Sequence, residues 1–293
     1  MVRVGSLPEG VIVGVMTARI APAPELVWFR GPDTIRFLND LISQEIGHLE
    51  PGTVARSLLL GPQGKMDFIL WVLRGEDEVG LVTEDGRGEE LANRLGRYKI
   101  RVEVEVVPEL SEVYLVVGDP TVPAGQWERT DGLVSADLSW PGLPRELRVG
   151  ADVSGLAEID PGEYAAARIE AGIPVMGVDV DEKTIPQETA LVPETISFEK
   201  GCFLGQELVA RLDSRGGRVN QHLRILEFDE PVPTGATLKA GDREVGTVTT
   251  SSGSLGLALV WREVEPGDRI DAGGVAATVR AVPQKSESTF TGS

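Results

Sequence analysis

A chain of 293 residues with 41% hydrophobic and 25% charged content has apolar material for two domains, or one large unit with an appendage, and needs no staples to hold its core. Its formal net charge of −18 opposes direct DNA or RNA binding, because a field of that sign repels phosphates at long range. The single cysteine, Cys202, excludes an internal disulfide, and with two histidines, His48 and His222, the chain lacks ligands for a structural zinc site or a self-held iron-sulfur cluster.

Near the start, Val11-Ile12-Val13-Gly14-Val15-Met16 is too short for a membrane span and lacks a signal-peptide cleavage pattern. No run of about twenty apolar residues occurs elsewhere, so a cytoplasmic, reducing location with no membrane partner is expected. Leu26 to Phe29 reads as a strand, after which Gly31-Pro32 opens a helix whose Ile35, Leu38, Leu41 and Ile42 share a face. Val54 to Leu60 and Met66 to Leu73 form a hairpin around Gly61-Pro62-Gln63-Gly64. A strand at Val79 to Val82 precedes a helix carrying Leu91, Leu95 and Tyr98, and Ile100, Val102, Val104 and Val106 then alternate with charged residues as a further strand. Strand, helix, strands, helix, strand over about 24–107 suggests a ferredoxin-like α+β layer.

From 108 to 160, Val113 to Val117 is a strand, but the prolines and glycines that follow predict loops and short strands. Asp160-Pro161-Gly162-Glu163 is a helix start, with Asp160 as N-cap and Glu163 placed for a capping box, and Gly172 fits a left-handed C-terminal cap. On that helix Arg168 is either partly buried or paired at the surface with Glu163 or Glu170. Residues 195–218 follow: Ile196 and Phe198 alternate with polar neighbours as a short strand, and Leu204, Leu208 and Leu212 recur as in a helix of about three turns. Cys202 falls in the connection, where the helix end and Lys200 favour thiolate; the alternative is a small buried hydrophobe. Arg211, Arg215, Arg218 and Arg224 make a local basic cluster, either an anion pocket or a solvated helix end. From Arg224 onward short strands separated by Gly, Pro and Asp suggest a small antiparallel barrel. The expected division is 1–221, a barrel over 222–283, and a frayed tail over 284–293.

Lys200-Gly201-Cys202-Phe203-Leu204-Gly205-Gln206-Glu207 resembles the K-G-C-[YF]-x-G-Q-E signature of the YgfZ family of folate-binding proteins. The stretch from Arg168-Ile169-Glu170 through Lys183-Thr184-Ile185-Pro186-Gln187-Glu188 is similar to the same family in order and spacing. The family sits within the wider group typified by the T-protein of the glycine cleavage system. The resemblance implies a T-protein-like α+β folate-binding fold with ferredoxin-like layers and a C-terminal barrel. It implies tetrahydrofolate, or a one-carbon derivative, as cofactor and Glu188 as the carboxylate that holds the pterin edge. A flat pterin with an amidine edge and an anionic tail calls for a carboxylate and cations, so the candidate ligand set is Glu188, Arg168, Gln206, Glu207, Arg211 and Arg218, with Cys202 and Lys200 as the reactive pair.

In the T-protein an aspartate on the strand after a Gly-Gly turn assists aminomethyl transfer. Here that position falls at Phe68 or Ile69, with Asp67 close but not matching, which argues against glycine-cleavage chemistry. Asp67 is either pocket-facing or a hairpin surface acid. The resemblance therefore implies a folate-dependent accessory role in making or repairing iron-sulfur proteins, including enzymes that modify tRNA, with such clients as partners. Two other readings stand beside it: a folate-dependent aminomethyl or methyl transferase, and a thiol-dependent protein-interaction module without folate.

Overall fold

The structure is a computed structural model that describes residues 16–18 and 23–283. The expectations for Val11 to Val15 and for the tail 284–293 lie outside the described residues. After β1 (Met16–Ala18), the chain forms β2 (Glu25–Arg30), α1 (Thr34–Asn39), β3 (Thr53–Leu60), β4 (Met66–Arg74), β5 (Glu78–Thr83), α2 (Gly88–Gly96) and β6 (Glu105–Pro108). Five of these strands make an antiparallel sheet in the order β3-β4-β5-β2-β6.

The sheet is apolar on both faces because both are covered. Phe68, Leu70 and Val72 of β4 pack with Leu38 of α1 and Leu91 and Leu95 of α2. Trp71 and Leu73, on the opposite pleat, pack toward a second sheet. The strand expected from Ile100 is shorter than its alternation suggested: Arg101 takes a left-handed φ of 57° and Ile100 is 74% exposed, so pairing begins only at Glu105.

The Pro- and Gly-broken region yields β7 (Val113–Val117), β8 (Trp127–Thr130), β9 (Leu133–Asp137), β10 (Arg145–Val149) and β11 (Ala157–Glu158). With β1 they form one sheet, ordered β11-β1-β7-β10-β9-β8. Short strands were legible there; that they close into a second sheet backing the first was not.

α3 (Pro161–Glu170) begins as expected, with Asp160 Oδ1 accepting the Gly162 amide at 2.8 Å and the Glu163 amide at 3.2 Å. It ends at Gly172, whose φ is 67°. After a 3-10 turn (Pro186–Glu188) come α4 (Val192–Thr195) and α5 (Gln206–Ser214). No strand forms at Ile196 to Phe198, a correction to the alternation reading: a helical turn occupies Val192–Thr195, Ile196 is buried, and the chain runs irregularly from there to α5.

The C-terminal strands β12 (Gln221–Phe228), β13 (Thr237–Ala240), β14 (Arg243–Ser252), β15 (Leu255–Trp261), β16 (Arg269–Ala272) and β17 (Val275–Ala281) close into a six-stranded antiparallel barrel. The barrel has its own core, including Leu226, Val248, Ala258 and Val279.

Candidate functional site

Cys202 is exposed, in the irregular stretch ahead of α5. That stretch is fixed on both sides of the thiol. Ser197 N donates to Ser43 O at 3.0 Å, Phe203 is buried between the two sheets, and Gly205 takes φ 78° as the N-cap of α5. Gly205 rests on the turn between β3 and β4, where a Cβ would come within 2.5 Å of Gly61 O and 3.2 Å of Gly64 Cα. The helix starts four residues beyond the thiol and carries no side-chain cap, so Cys202 stands outside the first turn, where the field of the unpaired amides is strongest.

Lys200 does not stand free beside the thiol. Its Nζ donates to Asn39 O at 2.5 Å and to Ile42 O and Gln44 O at 2.9 Å each, with Asn39 Oδ1 at 3.4 Å. Burial pushes the ammonium down to about 8, opposed by the nearby carboxylates of Glu45 and Asp40. The lysine clamps the cysteine loop to the end of α1.

Glu188 ends the 3-10 turn. Its Oε2 accepts the Ile185 amide at 2.9 Å, and no cation pairs with it among the described residues. Burial raises this carboxyl above its ordinary range and Asp181 adds to the rise, while the Ile185 amide and Lys65 pull it down. The turn is tied to α5 through Gln187 Nε2, which donates to Val209 O at 3.1 Å, and to the start of β4 through Met66 N, which donates to Thr184 O at 2.9 Å. The Glu188 turn and the cysteine loop thus rest on the same β3–β4 connection and are joined through α5.

Of the other expected ligand residues, Gln206, Glu207 and Arg211 lie on α5, whereas Arg168 is on α3. Arg168 is buried and its guanidinium is already engaged: Nη1 donates to Asp179 Oδ2 at 2.7 Å and to Ile173 O at 2.5 Å, and Nη2 donates to Thr250 Oγ1 at 2.9 Å. It is a structural tie rather than a free anion receptor. Gln206 is half-buried and Glu207 exposed in the first turn of α5, where an acid suits the helix dipole. Arg211, Arg215 and Arg218 are exposed and form no ion pair among the described residues, whereas Arg224 lies 3.9 Å from Glu265. Asp67 is half-buried at the start of β4 and paired, with Arg94 Nε donating to its Oδ2 at 2.6 Å.

The sequence reading missed a cleft of about 720 Å3 between the two sheets, lined by Gln44, Arg56, Trp71, Asp137, Trp140 and Glu194. Arg56 is buried, with Nη2 2.5 Å from Glu194 Oε2 and its guanidinium 3.9 Å over the Trp140 ring and 5.0 Å from Trp71. Burial pushes Arg56 down to about 10, partly offset by Glu194. The two indoles meet edge to face at 6.0 Å and also wall a narrow cavity on the side of Ile69 and Met176. Glu84 fixes this partition: Oε1 accepts Trp71 Nε1 at 2.8 Å, and the fully buried Arg145 donates to both carboxylate oxygens at 2.7 and 2.9 Å. The one available signal was Arg56, the only charged residue of β3. Neither Glu188 nor Cys202 lines these cavities.

Residues 222–285 match the family of the CAF17 C-terminal beta-barrel domain. Over 298 residues the chain is 30% identical to the mitochondrial iron-sulfur cluster assembly factor IBA57 of Homo sapiens, spanning 88% of this chain and 82% of that protein. It is 26% identical over 216 residues to the tRNA-modifying protein YgfZ of Cronobacter sakazakii, covering 65% of each chain. An aminomethyltransferase of Rubrobacter xylanophilus is 26% identical over 82% of this chain and 75% of its own. In three dimensions the chain matches the glycine cleavage system aminomethyltransferase T of Bartonella henselae, with a TM-score of 0.79 and 18% identity over 92% of this chain and 86% of that one. The expected T-protein-like fold with a C-terminal barrel is therefore the fold observed.

Proposed function

Because this chain belongs to the family of the iron-sulfur cluster assembly factor IBA57 and the tRNA-modifying protein YgfZ, we propose that it is an accessory protein for iron-sulfur protein assembly or repair that works with bound tetrahydrofolate. Its clients are iron-sulfur proteins, tRNA-modifying enzymes among them, in a reducing compartment that we take to be the cytoplasm.

Glu188 carries the folate part of this reading. A half-buried carboxylate with one oxygen on a backbone amide and no paired cation is an acceptor waiting for N–H donors, and the amidine edge of a pterin supplies two side by side. Bound reduced folate would supply a one-carbon carrier. The residues of this chain orient it and present an exposed thiol: Gln187 couples the Glu188 turn to α5, and Lys200 and Gly205 hold the Cys202 loop over the β3–β4 turn.

The resemblance to aminomethyltransferases favours a second reading, transfer of a one-carbon group by the chain itself. It is weakened by the β4 residues. Phe68 is buried under the helices, Ile69 is apolar, and the one acid of the segment, Asp67, is held by Arg94. Substrate-dependent formation of methylenetetrahydrofolate would restore that reading.

Titration calorimetry with tetrahydrofolate tests the folate step. Binding with a rise in melting temperature is expected, weakened at least tenfold in Glu188→Gln; absence of heat and of any melting shift would overturn it. The role of the thiol is read separately. In cells lacking their own family member, the wild-type chain should restore iron-sulfur enzyme activity, while Cys202→Ser should fail to do so and still bind folate.

A further inference from the structure

Two residues other than glycine hold a left-handed backbone among the described residues, Arg101 at φ 57° and Asp131 at φ 51°. Asp131 has a local cause: with Gly132 at φ 83° it makes the two-residue turn between β8 and β9, a turn that needs positive φ at both positions. Arg101 lies in no hairpin. It sits in the connection from α2 to β6, where a side chain resists that conformation. Backbone strain without a local cause points to a function for what the strained segment presents.

The turn displays an apolar side chain among free cations. Tyr98, Val102 and Val104 alternate along the chain and pack on the helix-covered core, whereas Ile100, with the same place in the alternation, is 74% exposed. The chain is fixed on either side of it: Ile100 N donates to Tyr98 O at 2.8 Å, and Glu103 N donates to Asp33 Oδ2 at 2.8 Å. Arg97 and Arg101 are exposed and Lys99 is half-buried, and none of the three side chains forms an ion pair or a hydrogen bond among the described residues. In a chain with 46 acids and 28 bases, three cations within five residues and no acid between them are held apart from the rest of its charge.

Charge and reach narrow the occupant. A nucleic acid or an anionic bilayer meets the field of the whole molecule, and a net charge of −18 repels it. A short acidic segment meets only the charges within a screening length of about 8 Å, and the run 97–101 offers it cations alone. We propose that the α2–β6 turn docks a short acidic segment of a partner protein, whose carboxylates meet Arg97, Lys99 and Arg101 and whose apolar side chain covers Ile100. Cations set the orientation, and burial of the isoleucine supplies the anchor. The proposal goes beyond the folate and thiol reading, since neither Glu188 nor Cys202 lies on this turn.

The probe is a fluorescein-labelled peptide in which aspartates and glutamates surround a single leucine, titrated against the full chain by fluorescence anisotropy. Saturable binding in the micromolar range is expected at low salt, and its loss at about 0.5 M salt. Ile100→Ser and Lys99→Glu should each weaken it about tenfold. Arg101→Gly removes the cation and the strain together. It should weaken binding about fivefold while keeping or raising the denaturation midpoint, a combination that a structural role for the arginine would not give. Glu188→Gln and Cys202→Ser should bind the peptide as the wild type does, which separates a failure here from a failure of the folate or thiol reading. The proposal is overturned if the peptide does not saturate by millimolar concentration, if the turn variants bind it as the wild type does, or if a labelled oligouridylate or a phosphatidylglycerol vesicle binds as tightly.

Discussion

Lys200 is a residue whose sequence position suggested one role and whose surroundings give it another. Four oxygens of the 39–44 segment surround an ammonium that has only three protons to donate, and burial has already pushed it down to about 8. Replacing it with methionine removes the cation but leaves those carbonyls without their donor, and should cost about 1–3 kcal/mol in chemical denaturation. The pH dependence has a definite sign. The folded-state value lies below the 10.5 of a free lysine, so between about 8 and 10.5 the unfolded chain holds more protons and wild-type stability should rise with pH. Lys200→Met should lack that rise. Denaturant midpoints of the two proteins from pH 7 to 10.5 would show it, and parallel curves would mean that the ammonium is not perturbed by folding.

At the scale of elements, the loop that presents Cys202 depends on two glycines meeting across the β3–β4 turn. Gly205 at φ 78° and Gly64 at φ 69° approach so closely that a Cβ on Gly205 would lie 2.5 Å from Gly61 O, and one on Gly64 would lie 2.9 Å from both Gly205 O and Leu208 Cβ. Gly205→Ala should therefore cost about 2–4 kcal/mol, since left-handed strain adds to a backbone clash that no side-chain rotation relieves. Its unfolding midpoint measures the loss, and Cys202 alkylation should quicken as the loop detaches. A midpoint unchanged from wild type would mean that α5 tolerates another start. This packing also marks how far the sequence could be read. Period and punctuation found β2 to β5, both helices of the first layer (although α1 ends at Asn39, short of Leu41 and Ile42, and α2 at Gly96, short of Tyr98), the Asp160 cap and most barrel strands, because each is set by neighbours within a few residues. That Gly205 would meet the β3–β4 turn was not legible, because the two lie far apart in the chain. The alternation at Ile196 and Phe198 misled because Ile196 is buried by α4 and the facing sheets rather than by strand partners. Arg56, Trp140 and Arg145 escaped notice because their meaning comes from partners far away in the chain, as between Arg145 and Glu84 or Arg56 and Glu194.

For the molecule as a whole, the question is what holds the barrel to the body, since each has its own core. Beside the apolar contact of Ile169 on α3 with Leu223, Ile225, Leu255 and Leu257 of the barrel, the answer is a buried knot around Asp179, which is 2% exposed. Its Oδ2 accepts from Arg168 Nη1 of α3 at 2.7 Å and from Val175 N at 3.0 Å, while its Oδ1 accepts the hydroxyls of Thr249 and Thr250 on β14 at 2.7 and 2.6 Å. Glu170 and Arg280 add a bidentate pair at 2.6 and 3.1 Å, and Ser252 Oγ donates to Gly162 O at 2.8 Å. A carboxylate with four donors is satisfied, but removing it strands a buried guanidinium. Asp179→Ala should therefore cost about 3–5 kcal/mol, and the loss should fall on the joint rather than on either core. Trp261 is on the barrel, whereas Trp28, Trp71, Trp127 and Trp140 belong to the body, so a Trp261→Phe background separates the two signals. In the wild type, fluorescence and circular dichroism should report one coincident transition; in Asp179→Ala the body should unfold at lower denaturant than the barrel. Coincident transitions at an unchanged midpoint would show that the two units are held together by apolar contact alone.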